Sequence, residues 1–368
     1  MDKLTFYLPD FGDGGLERMF VNLANEVAHR GIRADFIVGN TNKPYLHDLD
    51  PVVELRALHS KKRRSLTSAL ADDLVQNTPD AVITAKDLGI ETALAAKHRT
   101  QSSARIYIRV ITNIGGMLKH RHLLKRLLFL RRVGIQRQYL LRADGIIAVS
   151  QGIADDLIDI YDLPPDRIAV AHNPVVTPTL LQKATGPVDH PWLQPHQPPV
   201  ILGIGRVTRQ KNFALLLAAF ARVRRNRLCR LIIIGKGERV KELTAKAKRL
   251  GVHKDVEFLG FTENPYAYLS NAALFVLSSS WEGSPNALTE ALAVGCPVVA
   301  TDCPSGPRET LRGGAVGPLV PVEQVSPLAE AIEKTLDHPL PKKRLQAAAT
   351  PFSATNSADE YLRIMGFA

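Results

Sequence analysis

The sequence is short of several things, and each shortage excludes something. Three of its 368 residues are cysteine: Cys229, Cys296 and Cys303. The number is odd, the spacing fits no metal-binding pattern, and two of the three stand directly before proline. They read as small buried residues in a reducing compartment, not as a disulfide framework. No stretch approaches the roughly 20 consecutive apolar residues of a membrane span. Met1-Asp2-Lys3 passes straight into a strand-like segment, without the long apolar region of a secretion signal. A cytoplasmic protein is expected, at most peripheral on the inner face of a membrane. Aromatic residues are scarce in the basic stretch 119–142, where Phe129 and Tyr139 stand, which weakens a stacking surface of the kind single-stranded nucleic acids need. No nucleic-acid partner is expected.

What is present points to an enzyme-sized α/β protein. A chain of 368 residues is too long for one ordinary core and implies two domains. Hydrophobic residues make up 45%, enough to pack both. The formal net charge is +11, which favours an anionic partner: a phosphorylated ligand, nucleic acid or an acidic lipid surface.

Residues 4–8 read as a strand, 9–15 as a glycine-bearing loop, 17–30 as a helix and 34–38 as a strand, an opening βαβ unit. The loop is an incomplete dinucleotide fingerprint. Gly12 and Gly14 fit its first two glycines, but the third position is Glu17, and no acidic residue closes the second strand. An NAD site is not expected, although the loop could still bring backbone N–H groups to a phosphate or an acceptor. Further strands are expected at 52–55, 81–84, 105–111, 144–149 and 168–170, with helices at 65–76, 89–97 and 152–160. Between Glu91 and Asp144 there are twelve Lys and Arg and no acidic residue. Most fall in residues 119–142, whose leucines recur at helical spacing, the pattern of a basic amphipathic helix at a membrane surface. The alternative is a helix with one face in the core and a solvated basic face.

Pro187, Pro191, Pro195, Pro198 and Pro199 then mark an extended connector and a domain boundary. The second half begins again, with strands at 200–204, 230–234 and 256–259 and helices at 213–225, 239–250 and 327–336. The tail, 352–367, has a weak helical pattern. The expected architecture is two Rossmann-like, doubly wound domains, 1–184 and 200–350, joined by a linker at 185–199 and followed by a final segment, 351–368. Parallel sheets bind ligands at the carboxyl ends of their strands, and two facing sheets would form a cleft.

Residues 275–309 carry the densest signal. A strand at 274–277 leads into an acidic loop, 278–282, then a helix at 285–294 and a strand at 297–301. Ser284 and Pro285 suit an N-cap and first helical position, and Gly295 suits a helix stop. Glu282 and Glu290 lie eight residues apart, on the order of 10 Å along a helix axis. The helix N-terminus between them suits a diphosphate. A nucleotide-sugar has that shape, with a polyol at Glu282, phosphates at the helix start and a diol at Glu290. The alternative is a capped helix bearing two solvated glutamates.

Polar residues at the other strand ends of this half complete a constellation: Arg206 and Lys211, Gly235, Gly237 and Glu238, and Phe261. Two cations beside a helix N-terminus are what a diphosphate leaving group needs, since charge grows there as its bond to a sugar breaks. The sequence resembles the family-four retaining glycosyltransferases of the GT-B fold, over nearly its whole length. The resemblance is to the subgroup that builds bacterial surface polysaccharides or lipid-linked oligosaccharides. Its strongest pieces are Gly205-Arg206 with Lys211-Asn212, Gly235-x-Gly237-Glu238, residues 256–261 and Glu282-x7-Glu290 with Gly283, Pro285 and Asn286 between. Gly14-Gly15-Leu16-Glu17-Arg18, Asn22-Leu23-Ala24, Ser150 and Asn173-Pro174 also match.

The resemblance implies roles. Arg206 and Lys211 would bind the donor diphosphate, beside Gly205, Gly235 and Gly237, and with Glu282 they are the implied catalytic residues. Glu282 would contact the hydroxyls of the transferred sugar, with backbone groups from Gly283, Ser284, Pro285 and Asn286. Glu290 would hold the ribose, and Phe261 would flank the base. Gly14 and Gly15 would approach the phosphates from the other domain, and the final segment would cross back onto the first. No cofactor and no metal are implied, because cationic side chains replace the metal. No Asp-x-Asp pair stands at a suitable strand end.

One departure stands out. Many relatives carry a histidine after the strand matching 105–111, where this chain reads Arg109-Val110-Ile111-Thr112-Asn113. Thr112 or Asn113 takes over its positioning role, or another group does; His120, His122 and His172 are available. Residues 302–309 resemble the subgroup that uses UDP-hexoses or UDP-N-acetylhexosamines, which implies a UDP-linked donor over GDP or ADP. Arg109, Thr112, Asn113, Lys119, Arg121, Lys125 and Arg126 lie where such enzymes meet a saccharide acceptor, a lipid-diphosphate-linked one or an anionic membrane. Rival readings are a glycosidase with two carboxylates about 6.5–9.5 Å apart, a nucleotide-sugar epimerase, and a non-enzymatic basic RNA-binding protein.

Overall fold

The computed structural model describes residues 2–60, 62–119 and 123–367, the stretch 123–131 by its backbone alone. The chain forms two units. One comprises Met1–Val175 with Ser353–Ala368, the other Val176–Phe352.

Unit 1 runs β1 (Lys3–Leu8), α1 (Gly15–His29), β2 (Arg33–Val38), β3 (Glu54–Ala57), α2 (Arg63–Asn77), β4 (Ala81–Thr84) and α3 (Lys86–Thr100). It continues through β5 (Arg105–Val110), α4 (Ile114–Lys119), α5 (Leu123–Arg142), β6 (Gly145–Ala148), α6 (Gln151–Tyr161) and β7 (Ile168–Val170). The strands form one parallel sheet in the order β3-β2-β1-β4-β5-β6-β7. Helices cover both faces, so the central strands are mostly apolar; every residue of β1 is buried, Lys3 and Thr5 among them. Phe6 stacks on Phe36 at 5.8 Å between ring centroids and meets Phe20 edge-on at 6.2 Å. The strand expected at 52–55 lies two residues later. Val52 is exposed in a turn that Asp50 Oδ1 closes by accepting its N–H at 3.0 Å.

Unit 2 runs α7 (Pro178–Ala184), β8 (Val200–Ile204), α8 (Phe213–Asn226), β9 (Arg230–Ile234), α9 (Val240–Arg249), β10 (Val256–Gly260) and α10 (Pro265–Asn271). It continues through β11 (Leu274–Leu277), α11 (Asn286–Val294), β12 (Val298–Thr301), α12 (Pro307–Thr310), β13 (Leu319–Val320), α13 (Val325–Asp337) and α14 (Lys342–Ala349). Its parallel sheet has the order β10-β9-β8-β11-β12-β13. The last helix, α15 (Ala354–Met365), belongs to unit 1, where Tyr361, Leu362 and Met365 are buried in the core around Phe6, Phe20 and Phe36.

The division falls between 175 and 176 instead of at 184, and the proline-rich stretch is built into unit 2. Asn264 Nδ2 and Ser270 Oγ donate to the carbonyls of Lys183 and Ala184 at 2.8 and 2.6 Å. His190 is buried, takes the Trp192 N–H on Nδ1 at 3.1 Å and meets Glu257 through Nε2 at 3.1 Å. The Arg230 guanidinium lies over the Trp192 ring, 5.0 Å from its centroid. Proline keeps this segment extended, but its side chains pin it to the second sheet.

Candidate active site

In a doubly wound sheet, ligands settle where the strand order reverses. In unit 2 that point lies between β8 and β11; the loops after these two strands hold Arg206, Lys211 and Glu282, while Gly235, Gly237 and Glu238 follow β9 and Phe261 follows β10. Lys211 Nζ lies 2.5 Å from Glu282 Oε1, and the Ser279 hydroxyl donates to the same oxygen at 2.5 Å. Glu282 is buried and Lys211 is mostly covered, so each charge depends on the other; a buried carboxylate without a partner is costly. The two loops are stitched together. Gln210 Nε2 donates to the Trp281 carbonyl at 3.0 Å, Ser280 N–H to the Gln210 carbonyl at 2.8 Å, and Ser278 Oγ to the Lys211 carbonyl at 2.8 Å. Asn212 caps α8 by accepting the Leu215 N–H at 3.3 Å. Thr301 Oγ1, at the end of β12, donates to the Ser279 carbonyl at 2.6 Å. Cys303 lies nearby, and burial, with the Glu282 charge adding to it, pushes its thiol up.

Glycines bring the neighbouring loops together. Gly205 N–H donates to the Ile234 carbonyl at 2.9 Å, and Val207 N–H to the Lys236 carbonyl at 2.8 Å. Gly235 has φ +143°, and a β-carbon there would sit 2.0 Å from the Gly205 carbonyl oxygen; one on Gly237 would sit 2.3 Å from that of Val207. Only glycine fits either place. Arg206, beside this seam, is exposed and has no ion-pair partner among the described residues. Phe261 is 47% exposed, with the Lys236 ammonium 5.2 Å from its ring centroid.

The acidic loop corrects two expectations. Glu282 and Glu290 are 5% and 2% exposed, so the alternative of two solvated glutamates fails. Ser284 is not the N-cap: α11 starts at Asn286, with Pro285 in the cap position at ψ 85° and no side-chain capping bond. Gly306 holds Pro285 there, since a β-carbon on it would lie 2.5 Å from Pro285 Cδ. The loop is backed by Ser305 Oγ, which donates to the Gly283 carbonyl at 2.9 Å, and by the Pro304 carbonyl, which accepts the Glu282 N–H at 3.2 Å.

Unit 1 has its own reversal point, between β1 and β4. There the glycine loop is already engaged. Glu17 accepts the Gly12 N–H on Oε1 at 3.0 Å and the Gly14 N–H on Oε2 at 3.1 Å, while Lys86 Nζ meets Oε1 at 2.5 Å. The Gly14 amide is therefore not open to a phosphate, contrary to expectation. Gly15, the first residue of α1, is exposed.

Several acceptor-side residues are also corrected. Arg109 is buried: Nε donates to Tyr361 Oη at 2.7 Å, Nη2 to Asn173 Oδ1, and the guanidinium lies 5.5 Å from the Phe20 ring centroid. Burial holds the Tyr361 hydroxyl above its ordinary pKa, so it stays protonated while accepting from Arg109. Alternate residues of a strand face opposite sides, and Arg109 faces α1 and α15. Asn113 is buried too; its Oδ1 accepts the Gly116 N–H at 2.5 Å, and the Asp156 carboxylate accepts the N–H groups of Ile114 and Gly115 at 2.5 and 2.9 Å, together starting α4. Burial raises the Asp156 pKa. His172 Nδ1 is tied to Glu360 at 2.9 Å. Thr112 and Lys119 are exposed. Arg121 lies outside the described residues, as do His120, His122 and the side chains of Lys125 and Arg126. The helix expected over 119–142 corresponds to α5, Leu123–Arg142. Arg132 and Gln136 of α5 both bond Asp87 of α3, Gln136 at 2.8 Å. A cavity of about 310 Å³ beneath α5 is lined by Ile90, Ile111, Met117, Leu140 and Leu157, among others.

Sequence reasoning did not find Ser279, Gln210, Thr301 or Lys86. The only available signal was Glu17, which stands where the fingerprint wants a third glycine.

Residues 13–177 match the family described as Glycosyltransferase Family 4, and residues 189–350 match the one described as Glycosyl transferases group 1. A Campylobacter jejuni protein, N-acetylgalactosamine-N,N'-diacetylbacillosaminyl-diphospho-undecaprenol 4-alpha-N-acetylgalactosaminyltransferase, is 33% identical over 53% of this chain and 52% of its own length. The chain thus spans about half the length of that relative. The lipopolysaccharide core biosynthesis glycosyltransferase LpsE of Rhizobium meliloti is 27% identical over 99% of this chain and 98% of its own. Among solved structures, Anabaena Alr3699/HepE in complex with UDP and glucose superposes with a TM-score of 0.79 and 18% identity, over 100% of both chains, a likeness of fold.

Proposed function

The chain belongs to glycosyltransferase family four, with the GT-B fold, and from that premise we propose that it is a retaining glycosyltransferase of surface-glycan biosynthesis. It moves a hexose or N-acetylhexosamine from a UDP-linked donor to a saccharide or lipid-linked acceptor. The observation that carries this is the Lys211–Glu282 pair at the β8–β11 reversal point, with Arg206 exposed beside it. Arg206 and Lys211 bind the donor diphosphate. As the bond from the sugar's anomeric carbon to the β-phosphate oxygen breaks, negative charge grows on the diphosphate, and the two cations stabilise it. The acceptor oxygen bonds to the anomeric carbon on the face the phosphate leaves, its proton passes to a phosphate oxygen, and UDP departs. Once Lys211 turns to the phosphate, Glu282 is released to the sugar hydroxyls. Glu290 holds the ribose and Phe261 the base. No metal takes part in this scheme.

UDP is favoured because the Anabaena structure is described with UDP and glucose. A lipid-diphosphate acceptor is favoured because the name of the Campylobacter relative includes diphospho-undecaprenol. Among the described residues no helix is long and apolar enough to cross a membrane. Membrane contact would therefore be peripheral, through α5.

The test is a panel of UDP, GDP and ADP sugars, scored for hydrolysis and thermal stabilisation. A ligand at 100 times its Kd stabilises the native state by about 2.7 kcal/mol. UDP and one UDP-sugar should raise the melting temperature. Stabilisation by GDP or ADP alone would overturn the donor, and stabilisation by none would overturn the site.

A further inference from the structure

The most tightly built group outside the donor residues is the one around Glu17. The loop after β1 ends at α1, a helix of 15 residues whose first N–H groups have no partner within the helix. Such a start attracts anions. Here the anion is internal. One carboxylate, 3% exposed, gathers the N–H groups of Gly12 and Gly14 and the Lys86 ammonium. The bond to Gly14 alone would be a capping box, which is a local device. The other two donors are not local to the helix. Gly12 lies outside the cap, and Lys86 arrives from the start of α3, 69 residues away. Lys86 has φ +61°, an unfavourable conformation for a residue with a β-carbon, and its ammonium also donates to the Asp10 carbonyl at 2.6 Å. The chain accepts a strained backbone at the one place that sends a cation into this loop.

We propose that the glycine loop and Lys86 form an anion-binding nest, permanently filled by Glu17, and that Glu17 and Lys86 act as positioning residues. They hold the loop in a phosphate-binding shape while using up its inner amides. That this loop shape matters for turnover rests on the glycosyltransferase reading; the filled nest itself does not. It also gives unit 1 a physical reason not to bind a dinucleotide, since Glu17 occupies the pyrophosphate's place.

The test uses the full chain and the variants Glu17→Ala, Glu17→Gln and Lys86→Met. Emptying the nest should create a small anion site. Acetate or inorganic phosphate should raise the melting temperature of Glu17→Ala and leave that of the wild type unmoved. Turnover of Glu17→Ala should fall on the order of 100-fold, as for a misplaced reacting group, and acetate should restore part of it. UDP affinity, measured by calorimetry, should stay within about twofold, because the nest acts through geometry and not through nucleotide contacts. Glu17→Gln should fall between wild type and Glu17→Ala. Anion-independent melting of Glu17→Ala, or unchanged turnover in both Glu17→Ala and Lys86→Met, would overturn the proposal. If Glu17→Ala does not fold, Lys86→Met decides alone: lowered turnover with UDP affinity retained supports it, and unchanged turnover overturns it. Absence of UDP binding by the wild type would overturn the glycosyltransferase reading, while the anion-dependent melting would still judge the nest.

Discussion

Each unit sets a lysine against a glutamate across the point where its sheet reverses direction, and both pairs close to 2.5 Å. They differ in what else the carboxylate holds. Glu17 takes two amides of its glycine loop, whereas the additional bond at Glu282 Oε1 is to the Ser279 hydroxyl. In unit 2 the glycines at 205, 235 and 237 serve loop-to-loop packing instead, and Arg206 stays exposed beside them. The same topology thus yields one lysine–glutamate pair that also takes up the amides of its glycine loop and one that leaves an arginine exposed beside it. The shared fold does not tell them apart; a few side chains do.

The sharpest way to break this contrast is at Lys211. Lys211→Met should lower turnover on the order of 100- to 1,000-fold and also destabilise the protein, by about 3 kcal/mol or more, because Glu282 is left buried without its cation. Steady-state kinetics and denaturant unfolding read the two effects. Retained turnover would mean that the Lys211–Glu282 pair is structural and takes no part in the reaction. Next in size, Gly235→Ala should cost about 3 kcal/mol through the clash with Gly205, and melting curves check it. The two glutamates should then separate. Glu290→Ala should weaken UDP about tenfold or more, the scale of losing hydrogen bonds to a charged group, while Glu282→Ala mainly lowers turnover. Equal UDP affinity in wild type and Glu290→Ala would undo that division. The smallest effect is expected on α5: replacing Arg132, Arg137 and Arg142 with glutamine should weaken sedimentation with anionic vesicles by several-fold, with little change in UDP affinity. Unchanged vesicle binding would remove the membrane role.

Much of the fold was legible because parallel strands buried on both faces read as plain apolar runs. The strands expected at 81–84, 200–204 and 230–234 coincide with β4, β8 and β9. Short helices were not. At seven residues, α7 and α10 are too brief for periodicity to show, although Thr177-Pro178 and Asn264-Pro265 carry capping signals that the structure uses. Prolines suggested a free linker at 185–199, but what anchors it is the His190–Glu257 contact, across 67 residues. Lys211 and Glu282 could be picked by type and spacing, and the structure pairs them. Other partners were not legible, since nothing local links Lys86 to Glu17, or Ser279 to Glu282 in preference to its serine neighbours. Arg109 looked like a surface cation because its charge was weighed without the strand alternation that turns it inward.

The central claim is that the nucleotide is held by the Arg206, Lys211 and Glu282 site of unit 2 and not by the glycine loop of unit 1. Titrating UDP into wild type, Arg206→Ala and Glu17→Ala by calorimetry tests it most directly. UDP should bind wild type and Glu17→Ala within about twofold of each other, and Arg206→Ala about tenfold or more weaker, the loss of one charge-assisted contact. Equal affinity in wild type and Arg206→Ala, or a loss in Glu17→Ala as large as in Arg206→Ala, would contradict the account.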